Sequence, residues 1–479
     1  MDRAHRTRAH AYAHAHATDD PLRRTRTHIP GREHLPCAGG GGLYGEQVTE
    51  QPPADVSATV SDPRVRDALD AIDTAELVSQ LHVLLTVPSV TGSAAESAAQ
   101  HLLAEQYRQA GLDVDLWPID LPEVTADPGF PGMEAARSEA WGRVATHHGG
   151  SDGPTVVLNG HIDVVPTCEL SDWSVDPWSA QIRDGVVLGR GAADMKAGLV
   201  CQLAAVVALR RANVRLRGRV ALWSVVGEED GGLGTFATLR RGHTGELAVI
   251  AEPTDLAVVP AAAGALTFRL TVPGRSAHAS VRTSGVDAMD HYLRVHQALR
   301  RLEAERNANP DPLMARWDLA WPLSVGTVRA GTWPSSVPDR VVAEGRLGVA
   351  LGESVIDARS QLEAAISQLS DGDPWLGSHP VTVEWFGGQF APGAVDAGHP
   401  VVSLVSDAHE ALHGERPQLH GVPYGSDLRL LGAAGIPTVH YGPGRLRAAH
   451  APDESVPIDQ LATVTRTLVL TVAAACGTR

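Results

Sequence analysis

Four cysteines in 479 residues, Cys37, Cys168, Cys201 and Cys476, are too few and too scattered for a disulfide scaffold or a zinc ribbon. They read as incidental thiols, and a reducing, cytoplasmic location is expected. Positive charge is also scarce: 40 Lys+Arg stand against 56 Asp+Glu, a formal charge of -16. Phosphate backbones need a concentrated basic face, so no nucleic-acid partner is expected. No uninterrupted apolar run approaches the roughly 20 residues that cross a bilayer, so no membrane partner is expected. The N-terminus lacks the apolar stretch of a secretory signal, and no internal repeat is found.

What is present is globular composition, 43% hydrophobic, in a chain long enough for two or three domains. Residues 1–57 are the exception. They hold His5, His10, His14, His16, His28 and His34, a run of arginines and the glycines 39–42, without helical or finger spacing. This segment reads as a disordered extension.

From about Ser57 the patterning is regular. Leu69–Leu85 and Ala94–Ala110 carry apolar residues at helical intervals. Short apolar strands at Thr155–Leu158, Val220–Val226, Leu247–Ala251 and Ile436–Tyr441 alternate with helical stretches such as Lys196–Ala212. That alternation predicts an α/β fold with a mostly parallel central sheet flanked by helices. Between 263 and 388 the period changes to two, as in Leu266, Phe268, Leu270 and Val272, with helices expected at 286–305 and 355–369. The expected organisation is one domain from 58–262 and 389–479, with a smaller α+β domain inserted at 263–388.

Acidic residues and histidines gather where an α/β sheet places functional groups, at strand carboxyl ends. His161 and Asp163 follow the strand at Thr155 and point the same way, so the carboxylate could orient the imidazole. Asp194 precedes a long helix, where it could also be a plain N-cap. Glu228, Glu229 and Asp230 follow the strand at Val220; such adjacent carboxylates repel unless a cation relieves them. Glu252 ends a strand before Pro253, and His450 follows Gly442-Pro443-Gly444. Each has a bland explanation alone. Together, mixed imidazole and carboxylate donors suit zinc or a related divalent ion.

The order His161-x-Asp163, Asp194, Gly227-Glu228-Glu229, Glu252-Pro253 and a late His450 resembles the zinc amidohydrolase superfamily of acetylornithine deacetylase, succinyl-diaminopimelate desuccinylase, aminoacylase and glutamate carboxypeptidase. The resemblance runs from about residue 65 to the end. It implies a two-zinc exopeptidase-like fold and two divalent ions, most readily zinc, with cobalt or manganese as alternatives. One ion would lie on His161, Glu252 and Asp194, the other on Glu229, His450 and the shared Asp194. It further implies Glu228 as general base, Asp163 as the carboxylate behind His161, and a cis peptide at Asp194-Met195. Gly274-Arg275-Ser276-Ala277-His278 resembles the segment whose histidine reaches a catalytic pocket, often the partner subunit's, so the inserted domain would act as lid and homodimer interface.

The expected chemistry is attack on an amide carbonyl by water acidified between two ions, with Glu228 moving the proton. The expected substrate is an N-acyl amino acid or short peptide. A dipeptidase or carboxypeptidase would use the same site, and a non-catalytic binding module is the reading from another class. The family's lid asparagine is replaced by Ser335, and Gly348 stands where a carboxylate-gripping arginine is common, with Arg346 two residues away. Arg429, in Ser426-Asp427-Leu428-Arg429, is the second expected carboxylate clamp.

Overall fold

The computed structural model describes residues 55–479. Most of the extension expected at 1–57, with its histidines, therefore lies outside the described residues. Asp55 caps the helix Val56–Ser61, so the last residues assigned to that extension belong to the fold.

The central sheet has six strands, in the spatial order Asp113–Pro118, Trp141–His147, Arg219–Val225, Thr155–His161, Leu247–Ile250, Thr438–His440. The last four pair in parallel, and the first two add an antiparallel edge. The parallel strands are near-continuous apolar runs because both of their faces are covered. Val156, Val157 and Leu158 are fully buried, as are Val220, Val249 and Val439.

The helix Ala197–Arg211 is nearly all apolar because it is sandwiched between this sheet and the C-terminal helix Ile458–Cys476. Gly198 belongs to that close packing: a Cβ there would lie 2.2 Å from the Ala251 carbonyl oxygen. The helical stretch expected at 69–85 is interrupted. Asp73 accepts a hydrogen bond from the Ala75 amide and starts a new helix, Thr74–Leu85.

A second sheet of four antiparallel strands runs Leu323–Ala330, Arg340–Val349, Gly264–Pro273, Thr382–Phe390. The helices Ala288–Arg306 and Val355–Ser367 cover one face. Leu266, Phe268, Leu270 and Val272 point into the separate core so formed, with Val295, Leu299, Leu347 and Leu362. The alternation read from the sequence is this buried face. Two of its strands were not expected: Leu323–Ala330 is an exposed edge with a register shift beside Gly326, and Thr382–Phe390 shifts register between Trp385 and Gln389, across Gly387-Gly388. Bulges break the two-residue period that would have marked them.

Candidate active site

The strand Thr155–His161 delivers His161 at its carboxyl end, buried. Its Nδ1 lies 2.9 Å from the backbone carbonyl of Asp163 and 3.7 Å from the Asp163 carboxylate. The imidazole is thus oriented by the carbonyl, and the expected carboxylate-to-histidine bond is not the close contact. The Asp163 carboxylate instead accepts from the Thr91 hydroxyl at 3.0 Å and from the Glu228 and Glu229 amides, both at 3.3 Å. It fixes the turn that presents the two glutamates.

That turn begins at Gly227, whose φ of 64° suits glycine. Its amide donates to Glu96 at 2.9 Å, and Arg137 joins Glu96 to Asp230, with two bonds of 2.8 and 2.9 Å to the Asp230 carboxylate. Asp230 is consequently a framework residue.

Asp194 lies outside helical geometry, at φ −120° and ψ 96°, in front of the helix that starts at Ala197. It is not an N-cap. The Asp194-Met195 peptide is cis. Asp194 Oδ1 is 3.0 Å from His161 Nε2, and Oδ2 is 3.4 Å from His450 Nε2. Each carboxylate oxygen faces a different histidine. Glu252 Oε1 is 3.7 Å from His161 Nε2, and Glu229 Oε2 is 3.0 Å from His450 Nε2. Two donor groups result, His161–Asp194–Glu252 and Asp194–Glu229–His450, each with ligand atoms within 4.8 Å of one another. They share Asp194. His450 reaches its place with φ 60°, a left-handed conformation uncommon for a side-chain-bearing residue.

The charges are out of balance without a cation. Burial, then the Asp427 charge, pushes the Glu228 carboxyl well above its ordinary range, and burial, then Asp194, does the same to Glu252. Glu229, above all, holds the His450 imidazole up at about 11. For His161, burial favours the neutral ring, but the bond to Asp194 and the charges of Glu252, Asp163 and Asp194 outweigh it. Oxygen and imidazole donors crowded in this way fit divalent ions such as zinc, and the shared carboxylate fits two ions side by side. Glu228 completes the set without belonging to either donor group; it is buried, and its Oε1 has no protein partner among the described residues.

Asp194, Glu228, Glu229, Glu252 and His450 line a cavity of about 190 Å³, with Arg346, Phe390, Tyr424, Gly425 and Leu446 on its other walls. Arg346 therefore reaches the site despite its offset from position 348. Arg429 does not line it. Its guanidinium donates to the Ser426 and Gly231 carbonyls at 2.8 and 2.7 Å and stacks on the Phe390 ring, which holds it in the framework. His278 and Ser335 lie together elsewhere: Ser336 bridges to His278, the Ser335 carbonyl accepts from Ala279, and both side chains are exposed outside the cavity.

Sequence reasoning missed the support behind Asp194. The buried Glu454 accepts from the Ala193 and Asp194 amides at 2.9 and 3.0 Å, from Gly191 at 3.1 Å and from Arg190 at 2.6 Å. Arg190 also donates to the Pro166 carbonyl, tying in the segment after His161. Lys196, the chain's single lysine, is fully buried and donates to the Leu84 and Val87 carbonyls. A glutamate four residues beyond His450 was the available signal for Glu454.

Residues 157–474 match the model of peptidase family M20/M25/M40. Among curated relatives, N-formyl-4-amino-5-aminomethyl-2-methylpyrimidine deformylase of Halalkalibacterium halodurans is 28% identical over 84% of this chain and 95% of its own. Succinyl-diaminopimelate desuccinylase of Methylorubrum populi is 30% identical over 79% of this chain and 93% of its own. Among solved structures, a dipeptidase from Saccharomyces cerevisiae has a TM-score of 0.68 at 15% identity, covering 87% of this chain and 99% of that one. Human carnosine dipeptidase 1 has the same TM-score at 14% identity, covering 86% and 98%. The chain belongs to peptidase family M20/M25/M40 and is a hydrolase acting on amide or peptide bonds.

Proposed function

We propose that the chain is a two-metal deacylase that hydrolyses the amide bond of an N-acyl amino acid. The observation that carries this reading is the pair of donor groups sharing Asp194, with Glu228 unligating beside them and Arg346 in the same cavity. His161, Glu252 and Asp194 would hold one divalent ion and Glu229, His450 and Asp194 a second, which when bound would supply Lewis acidity for water and carbonyl. Glu228 takes the proton from the attacking water and gives it to the departing amine. Its raised carboxyl suits a group that must hold a proton between those steps. Asp163 and Glu454 keep the glutamate turn and Asp194 in place.

Arg346 is the one arginine among the cavity-lining residues, and an amino-acid carboxylate is the substrate group it would pair with. The aromatic walls Phe390 and Tyr424 favour a second reading, a formamide on a flat heterocycle, as in the name of the Halalkalibacterium halodurans relative. We infer homodimerisation through the second sheet. Supporting it, exposed His278 and Ser335 sit beside Trp333, 69% exposed, and Val281, 54% exposed. A second copy could then bring His278 to the cavity.

Incubating the zinc- or cobalt-loaded protein with N-acetyl, N-succinyl and N-formyl amino acids, dipeptides and a formamidomethylpyrimidine tests the substrate reading. Turnover of acyl amino acids is expected. Turnover of dipeptides alone, or of the pyrimidine alone, would replace it.

A further inference from the structure

One wall of the cavity carries a polar group that the mechanism above leaves unused. Tyr424 packs against a small apolar cluster of Ala257, Val259, Ala262 and Val422. Its ring is stacked on the His440 imidazole, with 13° between the planes and 6.2 Å between centroids. His440 is itself fixed at the end of the strand Thr438–His440, its Nε2 2.9 Å from the Ser426 hydroxyl. Beside it, Gly425 leaves room for Phe390, since a Cβ there would lie 2.5 Å from that side chain. The Tyr424 ring thus has little freedom. Its hydroxyl is buried, and it has no hydrogen-bond partner among the described residues.

A buried hydroxyl without a partner lowers stability, so one in a native structure calls for a reason. Here the reason lies in its surroundings. Tyr424 lines the cavity with Asp194, Glu228 and Glu252. A phenol keeps its proton at neutral pH and stays a donor, yet this one bonds none of the surrounding carboxylates.

We propose that the Tyr424 hydroxyl is a catalytic residue that donates a hydrogen bond to the carbonyl oxygen of the scissile amide. This rests on the amide-hydrolase reading above. As the water oxygen bonds to the carbonyl carbon, the C=O electron pair moves onto the carbonyl oxygen and the water's proton passes to Glu228. The phenol keeps its own proton and shares it with the new oxyanion. When that pair re-forms the C=O bond, the C–N bond breaks and the amine leaves with the proton from Glu228. A fixed donor aimed at developing charge needs no reorganisation during the reaction. Unlike His278, this donor comes from the same chain as Glu228 and needs no second copy.

Tyr424→Phe removes one oxygen atom. On whichever N-acyl amino acid or dipeptide the wild type hydrolyses, kcat is expected to fall about 100-fold. KM and zinc content should change little, and Tm should equal or exceed that of the wild type, because no protein bond is lost. An unchanged kcat overturns the proposal. So does a rise in KM alone, which would mark a ground-state contact, and so does a lower Tm, lost zinc or an unfolded protein, which would mark a structural hydroxyl. A wild type inactive on every acyl amino acid, dipeptide and formamidomethylpyrimidine would instead fail the proposed amide-hydrolysing site, and this inference with it.

Discussion

The two halves of the candidate metal-binding cluster are built differently. His161 ends a central strand with its side chain 1% exposed, opposite Glu252 at 5%. His450 sits on a loop with its side chain 50% exposed, opposite Glu229 at 9%. The first half is set by the sheet, and the Asp163 carbonyl orients its imidazole. The second depends on a loop residue held in a left-handed conformation that side-chain-bearing residues rarely adopt. Asp194 thus joins an enclosed position to an open one, and the open one should hold its ion less tightly.

The largest effect should come from the residue common to both halves. Asp194→Ala is expected to lose both ions, by metal analysis, and activity on the order of 1,000-fold or more. Retention of one tight ion would mean that the halves are independent. Glu228→Gln separates proton transfer from metal binding: activity should drop about 100- to 10,000-fold while both ions remain. Loss of an ion in that variant would make Glu228 a ligand. Glu454→Gln should weaken both positions about 10- to 100-fold in a chelator competition, because it places an amide donor against the donors of Arg190 and the Gly191–Asp194 loop. Weakening of the His450 position alone would show that Glu454 acts through its own loop and not through Asp194.

The residues at strand ends were the more legible in the sequence, in both halves. His161, Glu228, Glu229 and Glu252 follow apolar runs, and buried parallel strands announce themselves by composition. Asp194 and His450 have no such signal; singly they read as a helix cap and a loop histidine, and only their order in the chain pointed to the site. The framework behind the site was not legible at all. Glu96, Arg137 and Glu454 act across separations of up to 264 residues, and local periodicity carries no trace of such pairings. Arg429 and Arg346 are placed differently from what their motifs suggested: the fold turns the Arg429 guanidinium onto backbone carbonyls, whereas Arg346, off the expected position, lines the cavity.

Two ion positions of unequal strength should together support amide hydrolysis. Adding zinc stepwise to the metal-stripped protein, with calorimetry and hydrolysis followed in parallel, tests it most directly. Two ions per chain should bind, the second more weakly and lost first to a chelator, with hydrolysis rising with occupancy. Hydrolysis by the stripped chain, or no tight zinc, would contradict the account.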